Sequence, residues 1–184
     1  MQTTAIPFGF YTYSSDKGGL TVNKKYQDGA TGKWFRLCQA HTTLVGTTLV
    51  ATATQFDPVV QVGSATNGLA TDDVSAGLDA TNPHCLGVPT SACPVSTSTT
   101  TYYFWAQTDG PLHTTLDGST YASIKMNNDN DAAIGDTIIM TSTDASCNTI
   151  ATGTVGTLKG QVGRALVAVV AATDLVTGVD LSIA

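Results

Sequence analysis

The chain has 184 residues, a net charge of −6 and a pI near 4.6, and only 12% of it is charged, about half the usual share for a soluble domain. That length supports one good core or two small ones, and the acidic balance argues against a nucleic-acid partner, which needs a basic stripe for its phosphates. All 14 acidic residues are Asp and none is Glu, while Thr supplies about one residue in six, so the composition predicts a mainly β protein with little helix.

Residues 1 to 25 alternate aromatics with Gly and Ser. Phe8, Phe10, Tyr11 and Tyr13 precede Ser14-Ser15-Asp16-Lys17-Gly18-Gly19. So short a segment has no core of its own, which predicts an arm that packs on the body of 26–184 or on a neighbouring subunit, with Gly18-Gly19 as its hinge. A plain first strand fits the same residues. The opening Met1-Gln2-Thr3-Thr4-Ala5-Ile6-Pro7 lacks the basic and apolar regions of a signal peptide. No later run reaches the ~18 apolar residues that would span a bilayer. The expectation is therefore synthesis in the cytoplasm without a membrane partner.

Tyr26 to Ala40 reads as an Asp/Gly turn leading into a strand, with Trp34, Arg36 and Cys38 on one face and Phe35, Leu37 and Gln39 on the other. Lys24, Lys25, Lys33 and Arg36 form the only basic cluster here. Such a cluster suits a solvated strand edge and could also meet an acidic partner surface. Gly29-x-x-Gly32-Lys33 is too short for a phosphate loop, and Trp34 stands where a magnesium-holding Ser or Thr is needed.

Leu44-Val45, Leu49-Val50-Ala51 and Val59-Val60-Gln61-Val62 read as short strands, with Asp57-Pro58 starting a turn. Residues 63 to 84 are loop-rich and mark a weak subdivision of the body. From Leu86 to Ala172 one pattern recurs: a Gly or Pro turn, an apolar strand, then a turn with Asp-Gly or Gly-Asp. The Ser/Thr tract 94–101 reads as an exposed loop or an edge-strand entry feeding Tyr102 to Trp105. There Tyr103 and Trp105 share one face, and Tyr102 and Phe104 the other. A strand apolar on both sides is central in a sandwich or lies at a subunit interface. Asp109-Gly110-Pro111 reads as a turn before a strand from Leu112 to Leu116, and Ile134-Gly135-Asp136 as a turn into the strand Thr137–Met140.

Chemistry-bearing residues are sparse. Cys38, Cys85, Cys93 and Cys147 read as buried free thiols, and Cys85 and Cys93 could bridge across their Pro-containing loop. Cys38-x-x-His41 and His84-Cys85 complete no tetrahedral set, so no zinc site is expected. Asp129-x-Asp131 could hold calcium but lacks the Gly and closing Glu of an EF-hand. His41, His84 and His113 have no Gly-x-Ser-x-Gly elbow, HExxH helix or GxGxxG turn to work with. A pair of Asp residues brought together by the fold could still serve a glycosidase. The expectation is a protein that is not an enzyme and uses no cofactor.

Several of these segments resemble, in order, those of tailed-phage head decoration (capsid cement) proteins. They are Leu86-Gly87-Val88, Tyr103-Phe104-Trp105-Ala106-Gln107-Thr108-Asp109-Gly110-Pro111, Ala133-Ile134-Gly135-Asp136-Thr137 and Val162-Gly163-Arg164-Ala165-Leu166. The entry strand Trp34-Phe35-Arg36-Leu37-Cys38-Gln39-Ala40, with Asp28-Gly29 before it, is similar to that of some capsid-associated members. The resemblance covers about two thirds of the chain; the 85–101 loop and the front half are longer than in simple members. It implies a compact β-barrel or tulip-like sandwich with short antiparallel strands on the capsid exterior of a virion. It also implies two partners: the major capsid protein, and further copies of the chain as a homotrimer or dimer. The aromatic anchors expected for such contacts are Phe8, Phe10, Tyr11, Tyr13, Trp34, Phe35 and Trp105, with core packing the competing role for Trp34 and Trp105. The alternative reading is a receptor- or glycan-binding β module of a phage head fibre or tail.

Overall fold

Strand β10 (Tyr103–Pro111) is the longest, and the sheet is organised along its two edges. The computed structural model describes residues 6, 8–42, 48–49, 55–56, 58–62, 67–73, 77, 84–112, 123–125, 132–140, 147–150, 160–166, 168, 175–177 and 179–183. Along one edge β10 pairs antiparallel with β3 (Trp34–Ala40), from Tyr103↔Gln39 to Asp109↔Trp34. The other edge is shared end to end by β1 (Tyr13–Ser14), β8 (Cys85–Pro89) and β16 (Val179–Ser182).

Five of these strands close on themselves. β10 pairs with β8, β8 with β6 (Val59–Gln61), β6 with β7 (Leu69–Thr71), and β7 returns to β3 as a parallel pair, Gln39↔Leu69 and Ala40↔Ala70. The result is a closed five-strand β-barrel with further strands outside it, and almost no helix among the described residues. Closure removes the free edges of its members, the condition for a stiff β body. Outside the barrel, β16 continues the sheet through β14 (Gln161–Ala165) and β12 (Thr137–Met140) to β13 (Cys147–Ile150). β2 (Lys25–Gln27) flanks β3 through a hairpin whose turn is held by Asp28 N–H donating to the Lys33 carbonyl at 2.9 Å.

Two expectations change here. Asp109-Gly110-Pro111 is strand, not turn. A bulge between Gln107 and Asp109, followed by Gly110 at φ 82°, redirects β10 from β8 onto β16. The Gln107 amide secures the bend by reaching the carbonyls of Asp109, Gly110 and Pro111 at 3.2, 3.3 and 2.8 Å. The stretch 63–84 also contributes β7, so strands from both sides of it build one barrel. The readings at Leu44-Val45, Asp57, His113 to Leu116 and the Asp129-x-Asp131 loop lie outside the described residues.

Alternation sorts the core into three layers. Phe104 and Ala106 of β10 point into the barrel with Cys38, Ala40, Val59, Ala70 and Leu86. Val88, Val162, Ile138 and Leu181 pack where the barrel meets the outer strands. Trp105 points the opposite way from Phe104 and joins Phe35, Leu37 and Leu20 beneath the arm. The aromatic strand is therefore apolar on both sides because both sides are covered within one chain, the core alternative of the two raised by its sequence. Each large side chain so buried contributes about 1.5–3 kcal/mol.

Candidate interaction surface

The arm is seated on its own body. Phe10 stacks on Phe35 with ring centres 4.4 Å apart and lies 4.9 Å from Trp105, while Phe8 tilts against Trp105 at 5.5 Å. The Thr90 hydroxyl pins this contact between the carbonyls of Phe10 and Trp105. β1 adds two residues to the edge of β10, Tyr13↔Phe104 and Ser14↔Tyr103. Gly18 and Gly19 then turn the chain back at φ 57° and 81°, the left-handed conformation that suits glycine.

This seating divides the seven anchor candidates. Phe35 and Trp105 are 0% exposed and belong to the core beneath the arm, because they occupy the arm-facing positions of β3 and β10. They are not available for direct contact with a partner while the arm is seated, which corrects their place in the list. Phe8 and Phe10 are half-buried and serve as the underside of the arm. Tyr11, Tyr13 and Trp34 are 38%, 45% and 40% exposed. Alternation places Trp34 on the opposite side of β3 from Phe35, so it stands apart from the arm face.

Tyr26 and Tyr103 pack on the Trp105 side of the sheet with the arm, whereas Tyr102 packs on the Phe104 side. Tyr26 meets Trp105 edge-on at 5.4 Å, and Tyr13 meets Tyr102 edge-on at 5.8 Å. Tyr11 meets Phe35 at 5.9 Å, so Tyr11, Tyr26 and Tyr103 share the Trp105 side, while Tyr13 and Tyr102 pair on the other side of β10. Lys17 lies over the Tyr103 ring at 6.0 Å and Lys24 over the Tyr26 ring at 5.9 Å, the reach of a cation–π contact. Partial burial pushes the Tyr11 phenol up, with the nearby Asp28 carboxylate adding to it, so the ring stays neutral and its hydroxyl keeps a proton to donate. Rings with an apolar body and a polar tip offer both apolar area and hydrogen-bonding groups at the surface.

No family model matches the chain. No curated protein and no solved structure matches it either.

Charge separates along the sequence. Residues 1–42 hold five of the eight Lys and Arg and two of the 14 Asp, a net +3 that leaves −9 on the rest of a chain whose total is −6. Lys25 and Arg36 sit directly opposite each other on β2 and β3. Burial and the neighbouring guanidinium push the Lys25 ammonium down, against the pull of Asp109, and it donates to the Ile183 carbonyl at 2.7 Å. That bond ties β2 to the residue following β16.

The reactive groups are placed as follows. All four cysteines are buried and none is in a disulfide, and burial pushes the thiols of Cys38, Cys85 and Cys93 up to about 12. Thiols held neutral in this way are weak nucleophiles. His41 and His84 are partly exposed, and His113 lies outside the described residues. Among the described residues no group of three or more His, Cys and Asp side chains is arranged to hold a metal ion.

Proposed function

We propose that the chain is a structural virion protein that binds the outer surface of a phage capsid and stabilises it by bridging neighbouring capsomers. One observation carries the reading: a closed barrel, buried on both faces of its central strand, presents a tyrosine and lysine surface around a seated arm. A shell-stabilising protein has to transmit load between neighbours without deforming, and a closed barrel has no free edge to peel. Aromatic rings held by a rigid support give contact area at little entropic cost, and a lattice multiplies weak contacts by avidity. The order of the decoration-protein motifs in the sequence points the same way. Its partner in this reading is the major capsid protein.

The test is location. Gold- or antibody-labelled protein imaged on virions of the encoding phage should decorate the whole shell. Label confined to one vertex, the tail or a fibre would replace this reading with the receptor- or glycan-binding one.

A further inference from the structure

Across the sheet, one register row carries four exposed side chains, and from it we infer a platform for a neutral carbohydrate built on Trp34. Strand pairing sets Gln27 of β2 opposite Trp34 of β3, Trp34 opposite Asp109 of β10, and Asp109 opposite Ser182 of β16. Residues paired in this way share a face, and adjacent strands lie about 4.8 Å apart, so the row is about 14 Å long. Lys25, two residues before Gln27, shares that face, and its ammonium and the Asp109 carboxylate attract one another. The bulge that redirects β10 also fixes the row. Thr108, the residue between the two registers, donates its hydroxyl to the Trp34 carbonyl at 3.3 Å and accepts from the Ile183 N–H at 2.9 Å. The Gln27 amide donates to the Gly32 carbonyl at 3.1 Å, which sets its plane and leaves its oxygen for an incoming hydroxyl. Among the described residues nothing hydrogen-bonds to the Trp34 indole, the Asp109 carboxylate or the Ser182 hydroxyl, and the Trp34 ring packs on no other ring.

Chemistry selects the occupant. A pyranose presents a face of C–H groups that lies flat on an aromatic ring, and a rim of hydroxyls that each donate and accept. The row offers the matching set: an indole for the first, and a carboxylate, an amide and a hydroxyl beside it for the second. A stable protein partner needs roughly 800 Å² on each side with an apolar centre, whereas this row supplies a single ring. A phosphate polymer would meet the Asp109 carboxylate at the middle of the row. The site goes beyond the capsid reading and lies on the opposite side of β3 from Phe35 and the arm, so purified protein tests it whether or not the chain binds capsids.

The experiment applies the full chain to a printed array of neutral and charged glycans, then titrates the best-bound glycan in solution against acrylamide quenching of tryptophan fluorescence. Trp105 is 0% exposed, so the quenchable signal belongs to Trp34. The expected result is saturable protection by a neutral glycan, unchanged between about 50 mM and about 500 mM salt because the ligand carries no charge to screen. Trp34→Ala should weaken array binding about tenfold and Trp34→Phe should restore part of it, while Asp109→Asn should also weaken it about tenfold. Tyr11→Ser with Tyr13→Ser, exposed rings away from the row, should leave it unchanged. Circular dichroism verifies that each variant still folds. Binding to no neutral glycan, binding to charged glycans alone, or full-strength binding by folded Trp34→Ala would overturn the inference.

Discussion

Phe10 shows how much of the arm's hold rests on single side chains. It joins two rings of the body, and each aromatic pair adds about 0.5–1.5 kcal/mol to the area it covers. Phe10→Ala should lower stability by roughly 2 kcal/mol, read as a shifted urea midpoint, and should also raise the proteolysis rate at Gly18-Gly19. The buried thiols make a second prediction, with a defined sign. Their folded values near 12 lie above the ordinary 9.0, so the folded state holds these protons more tightly than the unfolded chain. Their contribution is intact below about pH 9 and is lost as pH rises from about 9 toward about 12. A thiol reagent at neutral pH should leave Cys38, Cys85 and Cys93 unmodified in the native protein and label them in denaturant.

At the scale of strands, close backbone approach decides what the sheet tolerates. A methyl group on Gly163 would sit 2.2 Å from the Asp180 carbonyl oxygen, and backbone on the neighbouring strand has little room to give. Gly163→Ala should therefore cost about 1–3 kcal/mol in thermal or urea unfolding. Gly29→Ala is the control, because nothing lies within 4 Å of its added carbon, and it should change stability by less than about 0.5 kcal/mol. Gln107→Leu should lower stability by about 1–3 kcal/mol, since its amide serves three carbonyls at the bend of β10. That bend also marks what the sequence leaves hidden. Alternation over Trp34–Ala40 and Tyr102–Trp105 is a local signal, and the strands and their two faces are legible from it. Asp109-Gly110-Pro111 has the composition of a turn; only its distant partner β16 and the Gln107 side chain make it strand. Barrel closure depends on β7, whose Leu69 and Ala70 pair in parallel with a strand about thirty positions earlier, and no local pattern encodes such a pairing. The arm is legible as a docking segment from its aromatics, whereas its seat on Phe35 and Trp105 is set by which side of β3 and β10 those residues occupy.

For the molecule as a whole, the fold ties the arm, the barrel and the outer strands into one unit. β10 touches all three, and Lys25 links β2 to the end of β16. Deleting residues 1 to 19 would uncover Trp105 and Phe35, so the truncated protein should bind more weakly and also unfold earlier; Tyr11→Ser with Tyr13→Ser separates binding from folding, because those rings are exposed. The central claim is that this body exists to clamp a shell. Its most direct test is co-sedimentation of the purified protein with decoration-free phage capsids, on the proposal that a phage encodes it, followed by heating. The account predicts that the protein pellets with the capsids at a saturating ratio and raises the temperature at which they rupture. Protein that stays in the supernatant, or binds and leaves the rupture temperature unchanged, would contradict it.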